Sequence, residues 1–275
     1  MLRLLNIEIH KLKYNRASKI LIVIYFALLT SIALIAAIKF DIGPVKFHLA
    51  EQGIFNFPYI WHFNTFMASI FKFFLLLVIV SMMANEYSNK TLKQNLIDGL
   101  SKKEFILSKF YTVILLATIS TIFVFITSLV LGFAYSDFTE FSIITSDLEY
   151  LVAFFVKLVA FFSFGLFLGI LVKRSAFAVG AMLVWAMAEG FLKGMAYWKM
   201  EEHVDMLMRF LPLEAMSNLI KEPFTRLSAV KTVAKQVGED LSKDFTVQPL
   251  DVLIVLVWTF IFIYFSYALL KKRDL

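Results

Sequence analysis

Six apolar stretches divide this chain, at 20–38, 59–84, 110–135, 151–172, 175–197 and 252–270, and each is near the length of a bilayer crossing. A hydrocarbon core of about 30 Å is spanned by about 20 helical residues. The first, third and sixth stretches carry no charge. The second holds Lys72, the fourth Lys157, and the fifth both Glu189 and Lys193. With 60% hydrophobic residues and only 17% charged, too little polar surface remains to cover a soluble fold, since soluble domains are about a quarter charged. The expected class is an all-α polytopic membrane protein of six spans, forming a single transmembrane domain over 1–275. The region before the first stretch is too long for a signal peptide and no small-x-small site follows, so that stretch reads as an uncleaved span.

The formal net charge is +6, but the charges lie at span ends rather than in one polar domain. Nucleic acid is therefore not the expected partner; the bilayer is. Lys and Arg mark the cytoplasmic side of a membrane protein. They cluster in the N-terminal segment, in the loop after span two, at Lys173-Arg174 and at Lys271-Lys272-Arg273. The 136–150 loop has none, but carries Asp137, Glu140, Asp147 and Glu149. Both termini are expected in the cytoplasm of a multi-pass inner or plasma membrane protein. The long 198–251 connection then lies outside. It carries helical stripes at Val204, Leu207, Met208, Leu211 and at Leu227, Val230, Ala234, Val237, Leu241. Pro212 and Pro223 break it, so short amphipathic external helices are expected there.

The N-terminal 1–16 segment places Leu2, Leu5, Ile9 and Leu12 on one helical stripe beside a polar line of Arg3, Asn6, His10 and Lys13. That suits a helix lying in the membrane interface. The loop after span two contains two punctuation signals. Asp98-Gly99 ends a helix, because glycine tolerates the left-handed position after a helix end. Ser101-Lys102-Lys103-Glu104 then matches a capping box opening the third span. A short separate cytoplasmic helix at 88–98 results.

This loop resembles the signature of the ABC type-2 exporter permeases. The matching residues are Glu86, Thr91-Leu92, Ser101-Lys102-Lys103-Glu104 and Lys109. The chain departs at Lys90, where the family often has Gly, and at Gly99, where it often has Pro. The resemblance extends to the six-span layout and the interfacial helix. It implies a coupling helix at 88–98 that docks on a separate ABC ATPase subunit. Glu86, Thr91, Leu92, Leu96, Gly99, Ser101, Lys102, Lys103 and Glu104 would form the coupling region, with Leu92 and Leu96 entering the partner's cleft. It also implies a second permease copy or a related permease, ATP and Mg held by the partner ATPase, and export of a substrate. No cofactor is expected in this chain. No Gly-Lys pair occurs, so the P-loop that cradles nucleotide phosphates is absent.

A secondary transporter or channel is the alternative, but it would show paired internal repeats, and none is visible. A membrane enzyme is disfavoured. The four histidines form no H-E-x-x-H, and Glu201-Glu202 lacks the Arg that an intramembrane Glu-Glu-x-x-x-Arg protease needs, having Met206 there. With no Cys, thiolate metal sites are excluded, and no metal is expected.

Charges inside spans are costly and are functional hypotheses by default. At 1.5 Å per residue, Lys72, Glu189 and Lys157 lie about 20, 21 and 24 Å from the cytoplasmic ends of their spans. Glu189 is therefore within reach of Lys72 or Lys157 across helices, or of Lys193 one turn on. Small-residue pairs at Gly165/Gly169, Ala176/Gly180 and Gly190/Gly194 read as close helix packing.

Overall fold

A computed structural model describes residues 2–37, 39–42, 45–48, 53–200, 204–226 and 244–273. The elements in order are α1 (Leu2–Tyr14), α2 (Arg16–Ala37), β1 (Lys39–Ile42), β2 (Val45–His48), α3 (Tyr59–Ser88), α4 (Thr91–Ile97) and α5 (Lys102–Tyr135). They continue with α6 (Phe141–Ile144), α7 (Glu149–Val172), α8 (Ser175–Met200), α9 (Val204–Met208), α10 (Pro212–Asn218), a 3₁₀ turn (Phe224–Arg226) and α11 (Pro249–Lys272). Five of these helices are long and apolar enough to cross a membrane. A sixth candidate, Arg16–Ile32, follows Arg3–Tyr14 across a bend of 89°. The bend falls at Asn15, whose Oδ1 accepts from the Ser18 amide at 3.1 Å and so caps α2. If α2 crosses the bilayer, α1 runs parallel to its plane.

The helix α7 is the centre of the bundle, packed against α3, α5, α8 and α11. Gly165 and Gly169 explain its close approach to α3. A Cβ at 165 would meet Leu76 Cδ1 at 2.2 Å, and one at 169 would meet Met83 Cβ at 3.2 Å. The small residues of α8 behave differently: a Cβ on Gly180, Gly190 or Gly194 meets nothing within 4 Å. Much of α8 is an uncovered apolar face, including Phe177, Val184, Met187 and Phe191.

The basic regions meet at one end of the bundle. Arg273, just after α11, donates to the Ile170 carbonyl at 2.5 Å and the Leu171 carbonyl at 3.0 Å, capping α7. It also reaches Tyr87 Oη. Lys102, opening α5, donates to the Arg273 carbonyl at 2.9 Å. Lys173 lies over the Tyr87 ring. Bonds at the other end tie loops to the bundle: Trp61 Nε1 to the Ile144 carbonyl, Tyr59 Oη to the Pro223 carbonyl, Tyr150 Oη to the Phe245 carbonyl, and Arg226 to Asp147.

Several expectations are corrected. The helix containing span two continues past 84 to Ser88, and α4 begins only at Thr91. A short antiparallel hairpin, β1 with β2, pairs Lys39 with His48 and Ile42 with Val45. Its strands, Lys-Phe-Asp-Ile and Val-Lys-Phe-His, alternate polar with apolar residues, the period of a strand. The 204–211 stripe does not run on as one helix: α9 covers only its first part, with Val204 buried and Leu207 exposed. Instead the chain turns inward at α10, which starts with Pro212 at its first position and packs against α7, α8 and α11. Ala215 and Met216 of α10, and Leu219 and Ile220 just after it, are buried. The stripe from Leu227 to Leu241 lies outside the described residues.

Gly165→Ala tests the α3–α7 contact. The added methyl must displace Leu76, and overpacking of this kind costs about 1–3 kcal/mol. The detergent-solubilised variant is expected to melt below wild type, followed by tryptophan fluorescence, and Leu76→Val is expected to restore part of the loss.

Candidate coupling site

The loop between α3 and α5 is closed by hydrogen bonds at the end of α4 and at the start of α5, while Lys90, before α4, supplies no side-chain cap. Lys90 sits at φ +56° and turns the chain into α4. A left-handed position disfavours a residue with a Cβ, which gives a physical reason for the Gly seen there in the resembling motif. At the far end Gly99 has φ +94°. The Leu100 amide donates to the Asn95 carbonyl at 3.0 Å, and the Gly99 amide to the Leu96 carbonyl at 3.2 Å. This is the Schellman pattern. Ser101 then opens α5: its Oγ accepts from the Glu104 amide, and Glu104 Oε2 accepts from the Ser101 amide at 2.9 Å, completing a capping box.

Beneath α4 lies a buried cluster of charge. Lys109, with no solvent exposure, donates to Glu86 at 2.5 Å and to Glu8 at 2.7 Å. Lys11 donates to Glu86 at 2.7 Å. Thr91 Oγ1 donates to the other Glu86 oxygen at 2.6 Å, and Asn95 Nδ2 approaches the same oxygen at 3.4 Å. Ser108 Oγ approaches Glu8 at 3.4 Å. Two carboxylates face two ammonium groups, so the cluster is formally neutral. Burying such charges is tolerated only when each finds partners. The cluster joins α1, α3 and α5 and holds the first residue of α4 against all three.

The structure rearranges several expected roles. Leu92 is buried in the protein's own core, and Leu96 packs against it. Leu92 is therefore not free to enter a partner's cleft, because it anchors α4 to the bundle. The outward face of α4 carries Lys93, Gln94, Asp98 and Ile97, of which Ile97 is 75% exposed. Lys103 is exposed, and Lys102 is turned to the end of α11. On α1 the inward face centres on Glu8 and Leu12, with Leu5 partly covered, while Ile9 of the expected stripe is exposed. The Leu2 side chain lies outside the described residues. Glu8 was missed from the sequence. The available signal was a lone acid in an otherwise basic helix, spaced three and four from Leu5 and Leu12.

The intramembrane charges also fall differently. Among the described residues, Glu189 pairs with no lysine. It accepts from Trp185 Nε1 at 2.6 Å and from the amides of Leu213 and Glu214 at 3.1 and 3.0 Å. It thus caps α10, whose own cap residue Leu211 has no side-chain acceptor, and satisfies amides that would otherwise be orphaned. Lys193 pairs instead with Glu214 at 2.5 Å. Lys72 donates to the Ser69 carbonyl at 3.0 Å, and Lys157 is buried near it on α7. The expected pairing failed because charge complementarity at similar depth overlooks backbone amides, which here are the stronger claim on the carboxylate.

A helical bundle with five or six candidate spans defines an all-α polytopic membrane protein. The chain belongs to the ABC-2 transporter family: the model for the ABC-2 family transporter protein matches residues 6–275. No curated protein matches the sequence. Membership identifies a membrane subunit of an ABC transporter, and implies association with ABC ATPase subunits and with the bilayer.

Lys109→Met leaves Glu8 and Glu86 sharing only Lys11. Removing one partner from a buried ion cluster costs about 3–5 kcal/mol. The variant is expected to show a clearly lowered melting temperature in detergent. Adding Glu8→Gln, which removes one stranded carboxylate, is expected to recover a substantial part. Additive losses in the double variant would contradict the coupling of these groups.

Proposed function

We propose that this chain is the membrane-spanning subunit of an ATP-driven exporter, and that α4 is the element its ATPase grips. The family assignment supports the class. The single observation that carries the mechanism is the buried Glu8–Lys109–Glu86 cluster. A force applied to an isolated loop would be lost in its bending. Here α4 is capped at its end, pinned by Leu92 and bonded through Thr91 to Glu86. Displacement of α4 is therefore shared by α1, α3 and α5.

In this reading both termini and α4 face the cytoplasm, where ATP and Mg are held by the partner. Two ATPase subunits act on two permeases, either two copies of this chain or this chain and a relative. The exposed apolar face of α8 is available to lipid or to that second permease. Nucleotide binding draws the ATPases together, moves α4, and shifts the helices that enclose the substrate path. Ile97 is the apolar centre of the contact, with Lys93 and Gln94 around it.

Two experiments test this reading. The chain has no native Cys, so single cysteines label cleanly. Cysteine at the exposed Phe141 is expected to react with an impermeant maleimide in intact cells, and cysteine at Lys93 only after lysis. Reaction at 93 in intact cells would invert the orientation. Separately, Ile97→Asp places a charge in a contact that must be desolvated. It is expected to abolish pull-down of the ATPase while leaving the permease inserted and its melting temperature unchanged. Ser101→Ala, which removes a cap worth about 0.5–2 kcal/mol, is expected to lower substrate-stimulated ATP hydrolysis more than pull-down. Full pull-down and hydrolysis by Ile97→Asp would remove α4 as the docking element.

A further inference from the structure

Far from α4, the bundle contains two lysines that no carboxylate among the described residues neutralises. Lys72 on α3 and Lys157 on α7 line one cavity of about 220 Å³ with Phe161, Met182, Leu213 and Ser217. Lys157 is 4% exposed, and among the described residues it forms no ion pair and no hydrogen bond. Among the described residues the Lys72 ammonium meets the Ser69 carbonyl and the faces of the Phe161 and Phe73 rings, 4.7 and 5.6 Å from the ring centres. Both side chains line the same cavity. The acids on the neighbouring elements are already committed. Glu189 is held by the α10 amides and Trp185, and Glu214 by Lys193.

An unpaired buried cation is expensive in low dielectric, and two at one site are more so. The rest of the protein shows the usual remedy, for Lys109 is equally buried and has two carboxylates. The contrast indicates that the missing negative charge comes from outside the chain. The cavity is smaller than the about 300–1,000 Å³ that encloses a whole drug-sized ligand, so it suits a headgroup rather than an entire molecule. At its rim Phe73 of α3 and Leu183 of α8 are exposed apolar residues. These lie on helices that cross the membrane, so the remainder of the ligand would be apolar and continue along them.

We infer that the cavity between α3, α7, α8 and α10 is a binding site for the carboxylate or phosphate group of an anionic amphiphile, held by Lys72 and Lys157 with its apolar body along Phe73 and Leu183. Such a molecule is either a bilayer phospholipid or a free fatty-acid-like compound, and the recognition chemistry is the same. The inference does not depend on α4 or on the ATPase, because it concerns the permease without nucleotide.

The test is equilibrium binding of radiolabelled oleate to the purified full chain in phosphatidylcholine nanodiscs. Saturable binding is expected, displaced by unlabelled oleate and not by oleyl alcohol, which has the same body and no charge. A charge-assisted hydrogen bond is worth enough that Lys72→Met or Lys157→Met is expected to weaken binding about ten-fold or more. Lys157→Arg, which keeps the charge, is expected to stay within about three-fold of wild type. Displacement by phosphatidylglycerol would identify a phospholipid as the source. Displacement by oleate alone would identify a free amphiphile. Should a methionine variant fail to fold, the oleate and alcohol comparison on the unaltered chain still decides. Equal displacement by the alcohol, wild-type binding by the doubly substituted chain, or no saturable binding of either anion would overturn the inference.

Discussion

Lys109 sits without solvent exposure between Glu8 and Glu86, and the arrangement of the rest of this end of the molecule follows from that fact. A buried ammonium requires acceptors, and the two carboxylates that supply them come from a helix at each side. Glu8 fixes how α1 lies across α5. Glu86 fixes where α3 ends and, through Thr91 and Asn95, where α4 begins. Such a cluster adds little net stability compared with a well-packed apolar one, since desolvation offsets most of the attraction. Its contribution is geometric: it admits one register of α1, α3 and α5, because any other leaves a charge unpaired.

The two ends of the bundle therefore differ in kind. At the end carrying α4, charged side chains cap helix ends and cross between elements, as Arg273 does on α7 and Lys102 does at the close of α11. In the bundle's interior, charge is used in two other ways. Glu189 is consumed by backbone amides that the inward turn at α10 would leave without acceptors. Lys72 and Lys157 are left facing a cavity. One end thus resembles a fixed joint, while the interior retains an unsatisfied site of the sort a ligand completes. This division suits a membrane subunit of an ABC transporter, whose energy source and substrate path are spatially separate.

Much of this was readable in the sequence, because the signals concerned were local. Apolar length gave the spans, and the bunching of Lys and Arg anticipated which loops meet at one end. Gly99 and Ser101 marked their turn because a left-handed residue and a capping box are written in consecutive positions. What escaped notice depended on tertiary contact. The partner of Glu189 is a pair of amides from a helix more than twenty residues away in sequence, and no side-chain pattern records an orphaned amide. Leu92 and Ile97 look alike in the sequence, and only the packing of α4 on α3 decides that the first is buried and the second exposed. Glu8 was hidden for a similar reason: its burial follows from Lys109, a residue 101 positions further on.

The proposed coupling requires α1 and α4 to move as one body, joined by the charge cluster. Spin labels on cysteines placed at the exposed positions Lys13 and Lys93 report that distance directly, measured by pulsed electron resonance in the complex with its ATPase. One narrow distance distribution, the same with and without ATP, is expected, and a broadened one when Lys109→Met is introduced. A wild-type distance that shifts on ATP binding, or one unaffected by loss of Lys109, would contradict it.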